Sequence, residues 1–365
     1  MHPALRAVVV PVLAGLLAGL AVPGSAWGVA SFRLDSPPDC EEMSLDLAAL
    51  PGGGLVAVWA AGATGKPESS PRIFARLFDA HHAPRGSELQ VNGETEALWP
   101  AVAVGASGDI LIVWVEAAPQ RLVARRYDAT GVAAGPEVVL STAVSLGGAA
   151  VTATPTGFAV VSAPGPEVRL WRLDFAGNPV GESEVVATMA GIPEAPFPVA
   201  QSPAVAYSPD GLVIAWAEDH LAALTVFAVL RTTDNTHFLL SPQIHPAGHP
   251  QPAQPAVAVD GTGKILVAWN ETPGRGEAGS VRAQVFGRGG TFQGEAVYVD
   301  TQVGSELEVS APEAAGLADG FIVAWESEDS LFPGSVRHDV WLEGRAVPLT
   351  RDSGYFWSSA RTTSR

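Results

Sequence analysis

A chain of 365 residues, 47% hydrophobic and only 16% charged, holds enough apolar material for a large core and too little charge for a disordered segment. Its formal net charge of −17 sets it against nucleic acid and anionic membrane surfaces, which would repel it at long range. Cations and basic partners stay open, and the plainer consequence of the charge is solubility. With 39 Gly and 30 Pro, the composition favours many turns and short strands over long helices.

The chain begins like an exported one. Arg6 gives a positive start, Ala7–Val22 is an apolar run of 16 residues, and Gly24-Ser25-Ala26 places small residues where a signal peptidase cuts. Residues 1–26 therefore read as a signal peptide, with cleavage after Ala30 as the alternative. The run is short of the ~20 residues a spanning helix needs. No second long apolar segment follows, so the mature chain is expected to be secreted, periplasmic or at the cell surface, without a membrane span. The lone Cys40 cannot form an internal disulfide, and stability must come from core burial.

An apolar run ending in Trp recurs from end to end. It closes at Trp59, Trp114, Ser162, Trp216, Trp269 and Trp325, in steps of 55, 48, 54, 53 and 56 residues, with Ser162 standing in for the third Trp. Upstream lies a Pro-x-Val-Ala strand, at Pro100, Pro203 and Pro255; the first copy has Leu45-Asp-Leu-Ala instead, and the sixth has Pro312 later in register. Downstream comes a strand ending in an aromatic–Asp–Ala turn, Phe78-Asp79-Ala80 and Tyr127-Asp128-Ala129, with Leu173-Asp174-Phe175 as a variant. A Gly-x-Glu or Gly-Glu step then opens a fourth strand, at Gly86, Gly135, Gly181 and Gly294. Asp at a turn start bonds the backbone two residues on and Gly supplies positive φ, so these tokens are turn chemistry first.

Six copies of about 50 residues, each with four short strands, have the period of a propeller blade. Runs this continuously apolar predict that both faces of each sheet are covered, as when blades stack around an axis. The expected fold is all-β, a six-bladed β-propeller over residues 31–351. Its blades run over Met43–Asn92, Leu98–Thr142, Gly147–Thr188, Ser202–Pro242, Pro252–Asp300 and Glu308–Thr350. Ser31–Asp35 is expected to pair with the last blade within Val336–Leu349 and seal the ring, leaving Asp352–Arg365 as a tail. A β-solenoid is the rival, but its coils repeat over shorter periods. The composite Pro-x-Val-Ala…Val-x-Trp…Arg-x-Phe-Asp-Ala…Gly-x-Glu resembles tandem repeats of bacterial secreted and surface proteins that are thought to form β-propellers. That resemblance spans Met43–Thr350, implies architecture, and brings no catalytic motif with it.

One repeated feature is polar. An acid stands two residues after Trp in Glu116, Glu218 and Glu271; in the sixth copy Glu326 follows Trp325 at once, with Glu328 behind it, and Asp219 extends the fourth. Leaving their strands at equivalent heights, these acids would form an arc on the face carrying the loops between second and third strands, able to attract a cation or basic group. The plainer reading is that a charged residue ends each buried strand where it meets water. The same face receives the Pro-rich segments Met189–Gln201 and Ser241–Gln251. In the latter, His245 and His249 have a helical metal spacing that Pro246, Gly248 and Pro250 forbid. Ser208-Pro-Asp210-Gly211 reads as a turn, and the repeated Trp as packing between blades before any sugar platform. No nucleophile elbow, zinc-protease motif or phosphate loop occurs.

The expectation is thus a secreted, monomeric, non-enzymatic propeller binding an extracellular glycan, protein or cation through Glu116, Glu218, Asp219, Glu271, Glu326 and Glu328. No cofactor is required, a divalent cation being the one candidate. The alternative is an extracellular glycoside hydrolase or sialidase-like enzyme using pairs of the same carboxylates, which need to lie ~5–9.5 Å apart.

Overall fold

The structure, a computed structural model, describes residues 40–63, 70–142, 148–163, 166–188, 200–219, 224–234, 236–240, 251–272, 279–299, 307–309, 312–329, 336–342, 345–349, 351–352 and 355–356. The proposed signal peptide, Ser31–Asp35, His245 and His249 lie outside them. The described residues are almost wholly β, and no helix among them is long and apolar enough to cross a membrane. The chain divides into two units, one ending at Tyr207 and one starting at Ser208.

The first unit opens with three antiparallel meanders. The first sheet runs β1 (Cys40–Ala49), β2 (Leu55–Ala63), β3 (Arg72–Phe78) and β4 (Leu89–Gln90). The second runs β5 (Ala97–Val104), β6 (Ile110–Ala117), β7 (Gln120–Tyr127) and β8 (Val138–Ser141). The third runs β9 (Ala149–Thr154), β10 (Gly157–Ser162), β11 (Glu167–Leu173) and β12 (Glu184–Thr188). The unit ends in β13 (Ala200–Ser208), the first strand of the fourth copy.

In the second unit the fourth copy continues as the meander β14 (Gly211–Asp219), β15 (Leu224–Arg231) and β16 (Thr236–Leu240). The fifth sheet is β17 (Gln251–Val259), β18 (Ile265–Thr272), β19 (Ser280–Phe286) and β20 (Val297–Tyr298). The sixth is less regular. Its first strand is split into β21 (Leu307–Val309) and β22 (Glu313–Gly316), both paired with β23 (Phe321–Asp329). Then follow β24 (Val336–Leu342) and β25 (Arg345–Leu349), so the outer strand of this sheet comes from its own C-terminal side. Beyond it, β26 (Arg351–Asp352) pairs with β27 (Tyr355–Phe356) across the start of the proposed tail.

Each Trp-terminated run is the second strand of its sheet, and these strands are the core. In β6 and β10 nearly every side chain on both faces is buried, as the continuous apolar runs demand. One hydrophobic cluster joins the first and second sheets through Val56, Val58, Ile73, Ile112 and Trp114. Another joins the second and third through Leu111, Val113, Phe158 and Val160. A third joins the fifth and sixth through Leu266, Ala268, Val323 and Trp325. Successive meanders therefore stack face to face within each unit. Burying a Val, Leu or Ile this way contributes about 1.5–3 kcal/mol, which no single four-stranded sheet could gain on both faces.

The repeated polar tokens have structural jobs. Asp79 Oδ1 accepts from the backbone N–H of His81 at 2.8 Å and Ala83 at 2.9 Å. Asp128 does the same for Thr130 and Val132, and Asp174 for Asn178. Each closes the turn between third and fourth strands, and those hydrogen bonds hold the three carboxyls below their usual range. In the fifth copy Gly287 takes the Asp position, and a Cβ added there would come within 2.3 Å of Thr291 Oγ1. The arginine of the third strand lies over the aromatic of the turn, Arg76 over Phe78 at 5.8 Å and Arg125 over Tyr127 at 5.7 Å. It reaches the acid of the Gly-x-Glu step: Arg76–Glu88 at 3.9 Å, Arg125–Glu137 at 3.8 Å and, one residue on, Arg172–Glu184 at 2.9 Å.

Candidate functional site

Residues two apart on a strand share a face, so an acid two after Trp hangs beside the indole at the exit of the second strand. Register sets what meets the pair from the third strand. Trp59 faces Phe74 and Trp216 faces Phe227, stacked at 6.2 Å and 5.5 Å. Trp114 faces Val123 and Trp269 faces Arg282. All five repeated tryptophans are buried, which assigns them to packing.

The acids are not displayed to solvent. Glu116 is 2% exposed, Glu218 6% and Glu271 3%. Each is occupied from within its sheet. Glu116 pairs across the strands with Arg121, whose Nε donates at 2.6 Å. Glu218 Oε1 accepts the indole N–H of Trp216 at 2.8 Å. Glu271 accepts from Trp269 Nε1 at 3.4 Å, Ser280 Oγ at 3.4 Å and Arg282 Nη1 at 3.3 Å. Arg282 in turn lies between the rings of Trp269 and Tyr298, 5.8 Å and 4.9 Å from their centroids, and donates to the carbonyl of Ala296. A carboxylate withdrawn from water needs such donors, since an unpartnered buried charge costs several kcal/mol.

Asp219 ends β14, and Glu326 and Glu328 lie on β23 opposite His338 and Val336. In the first copy Ala61 fills the acid's place, buried in β2. In the third, Ser162 Oγ donates to the carbonyl of Gly148 at 3.0 Å, a small polar substitute for the indole. Arg121 and Arg282 are the participants that motif reading passed over. Counting antiparallel register back from the second-strand Trp would have found both.

Other polar side chains settle into turns and core. The backbone N–H of Asp210 donates to Ser208 Oγ at 3.3 Å and its carboxylate pairs with Arg288 at 3.1 Å, as a structural turn. His81 and His82 sit in the Asp79 turn. Asn270 of the Asn-Glu-Thr sequon is buried within β18, out of reach of a glycosyl transferase in the folded chain. Among the described residues no group of three His, Cys, Asp or Glu side chains could hold a metal ion.

No protein-family model and no curated protein sequence matches the chain. Solved structures do. A Dyadobacter fermentans protein of unknown function aligns at TM-score 0.56 and 12% identity, over 88% of this chain and all of the other. The β-propeller domain of the trilobed protease from Pyrococcus furiosus aligns at 0.49 and 10%, over 86% and 84%. The α-L-arabinanase of Penicillium chrysogenum aligns at 0.45 and 12%, over 70% and 81%. At such identity the first likeness concerns fold alone, an all-β chain of antiparallel meanders.

Proposed function

We propose that the chain is a secreted six-bladed β-propeller that binds an extracellular glycan or protein on the face carrying the loops between second and third strands, without catalysing a reaction on it. The face-to-face stacking of successive meanders supports the propeller, because an open row would leave a greasy outer face at each end. The observation that carries the non-enzymatic reading is the state of the buried acids. Glu116, Glu218 and Glu271 are engaged by indole, guanidinium and hydroxyl donors inside their own sheets, where a glycosidase needs a free acid and base flanking the scissile bond. In this reading the acids at the exits of β6, β14, β18 and β23 mark the ligand-facing end, and the buried three brace the strands from which its loops spring.

Two measurements test it. Small-angle scattering of the exported form is expected to give a radius of gyration of about 20 Å, as for a closed domain of this length; a much larger value sinks the ring. Purified protein is then incubated with arabinan, fructan and peptidoglycan, and both retention on the polymer and release of reducing ends are followed. Retention without release supports the binder. Release that disappears in Glu271→Gln replaces it with the hydrolase.

A further inference from the structure

Asp46 sits in the middle of β1, opposite Val58 of β2. The same register position holds Ala101 in the second sheet, Ala150 in the third and Ala256 in the fifth. The first copy thus carries a carboxylate where the second, third and fifth carry a methyl group; in the sixth, Glu313 stands opposite Ala324 but is exposed, whereas Asp46 is drawn into a contact between sheets. Its two oxygens are divided between sheets: Oδ1 accepts the N–H of Leu47 at 2.7 Å, and Oδ2 accepts the N–H of Val102, on β5 of the second sheet, at 2.8 Å.

We propose that Asp46 makes the contact between the first and second sheets a pH-dependent clasp, tighter in mildly acidic medium than at neutral pH. The clasp lies in apolar surroundings, among Val58, Val102 and Ala48. The elements packed against it bring no compensating charge. β2 and β5 contain no titratable residue, and the β3 arginines Arg72 and Arg76 are engaged by Glu94 and Glu88. Asp109, in the turn after β5, is held by Ser107 and Arg126. On β1 itself the nearest acids, Glu42 and Glu41, stand four and five positions back. Burial therefore outweighs the two backbone N–H donors and pushes the carboxyl up from 3.8 to about 6.

The sign follows from linkage. A raised carboxyl binds its proton more tightly folded than unfolded, so its contribution to stability is fully present below about pH 4 and is lost as pH rises through about 6. About two pKa units correspond to about 100-fold in the folded-to-unfolded ratio. The device adds regulation of the sheet contact to the binding reading but does not depend on it.

The test compares urea unfolding of the full chain with Asp46→Asn and Asp46→Ala across pH 4.5–7.5. Asn keeps an acceptor without the charge, and Ala is the residue the second, third and fifth copies already accommodate. The expected result is that the unfolding constant of the native chain, relative to either variant, rises by tens of fold between pH 4.5 and 7. The amide of Val102 should lose hydrogen-exchange protection over the same range in the native chain only. Curves that stay parallel for native chain and variants, or a Val102 protection factor independent of pH, overturn the proposal. If one variant fails to fold, the other still supplies the reference.

Discussion

The indole N–H of Trp216 donates to the carboxylate of Glu218, 2.8 Å away and two residues further along the same strand. In the fourth and fifth copies the acid after Trp therefore builds its own hydrogen bond inside the core, whereas in the second Glu116 turns to Arg121; in each the charge serves the strand end before anything outside. Glu218→Ala should leave the buried indole N–H without its acceptor and cost about 1–3 kcal/mol. Glu218→Gln, which keeps an amide oxygen, should lose less. Urea midpoints of the two variants decide it. Equal stability of both with the native chain would mean the acid serves only a ligand.

Tyr127 joins two sheets by a neutral bond. Its hydroxyl donates to the carbonyl of Val91 at 3.3 Å, and Arg125 Nη1 donates to the same oxygen at 3.1 Å. Burial pushes the phenol up to about 12. Tyr127→Phe is expected to cost about 0.5–1.5 kcal/mol. Arg125→Lys should cost a similar amount, since an ammonium cannot cover the Tyr127 ring and reach Val91 with the same planar fork. The double variant should fall short of the sum of the two, because both donors share one acceptor. Chemical denaturation of the three variants measures this.

The strands and turns were legible because turn chemistry and apolar runs are local. Every Trp-terminated run became a second strand, and Asp79, Asp128 and Asp174 became turn caps, since a short side chain bonds its own backbone whatever the surroundings. Burial of Glu116, Glu218 and Glu271 was not legible, because it depends on the sheets packed around them; for Glu116 and Glu271 it depends also on donors brought from the third strand. Nor was the backbone at Trp99, Ser202 and Gln254. Each precedes a proline, which disfavours all but extended conformations, yet φ is 48°, 49° and 43°. Gly148 takes the same register position with φ 83°. The register shifts there, between Leu98 and Ala101 and between Ala253 and Ala256, show the cause. An extra residue is inserted opposite the Trp, and such a bulge costs local strain that only the assembled sheet can hold in place.

Gly157 opens β10 at φ 149°, and a Cβ added there would come within 1.9 Å of the Leu173 carbonyl oxygen. Because the obstacle is backbone at the end of the paired strand, no side chain can swing aside. Gly157→Ala should cost roughly 1–3 kcal/mol. Gly135→Ala, at a position with nothing within 4 Å and an ordinary φ, should be near neutral. A thermal melt comparing the two is sufficient. Equal midpoints would show that the turn relaxes to admit the methyl group.

Asp260 ties the turn of the fifth copy to the sixth. Oδ1 accepts the N–H of Thr262 and Lys264, both at 2.9 Å, and Oδ2 accepts the N–H of Gly320, in the sixth sheet, at 3.0 Å. Burial works to raise its pKa, but these hydrogen bonds together outweigh it and the carboxyl stays below its usual value of 3.8. With a lowered folded pKa, its contribution is present above the unfolded value and is lost as pH falls through the folded one. The fifth and sixth sheets should therefore loosen in strong acid, in the opposite sense to Asp46. Asp260→Asn keeps one oxygen and turns the other into a donor facing Gly320 or Lys264. It should cost about 1.5–3 kcal/mol at pH 7 and progressively less below pH 4, where the native chain loses the same carboxylate. Unfolding midpoints at pH 7 and pH 3 measure the convergence. A gap of constant size at both pH values would show that the carboxylate charge plays no part in holding these sheets.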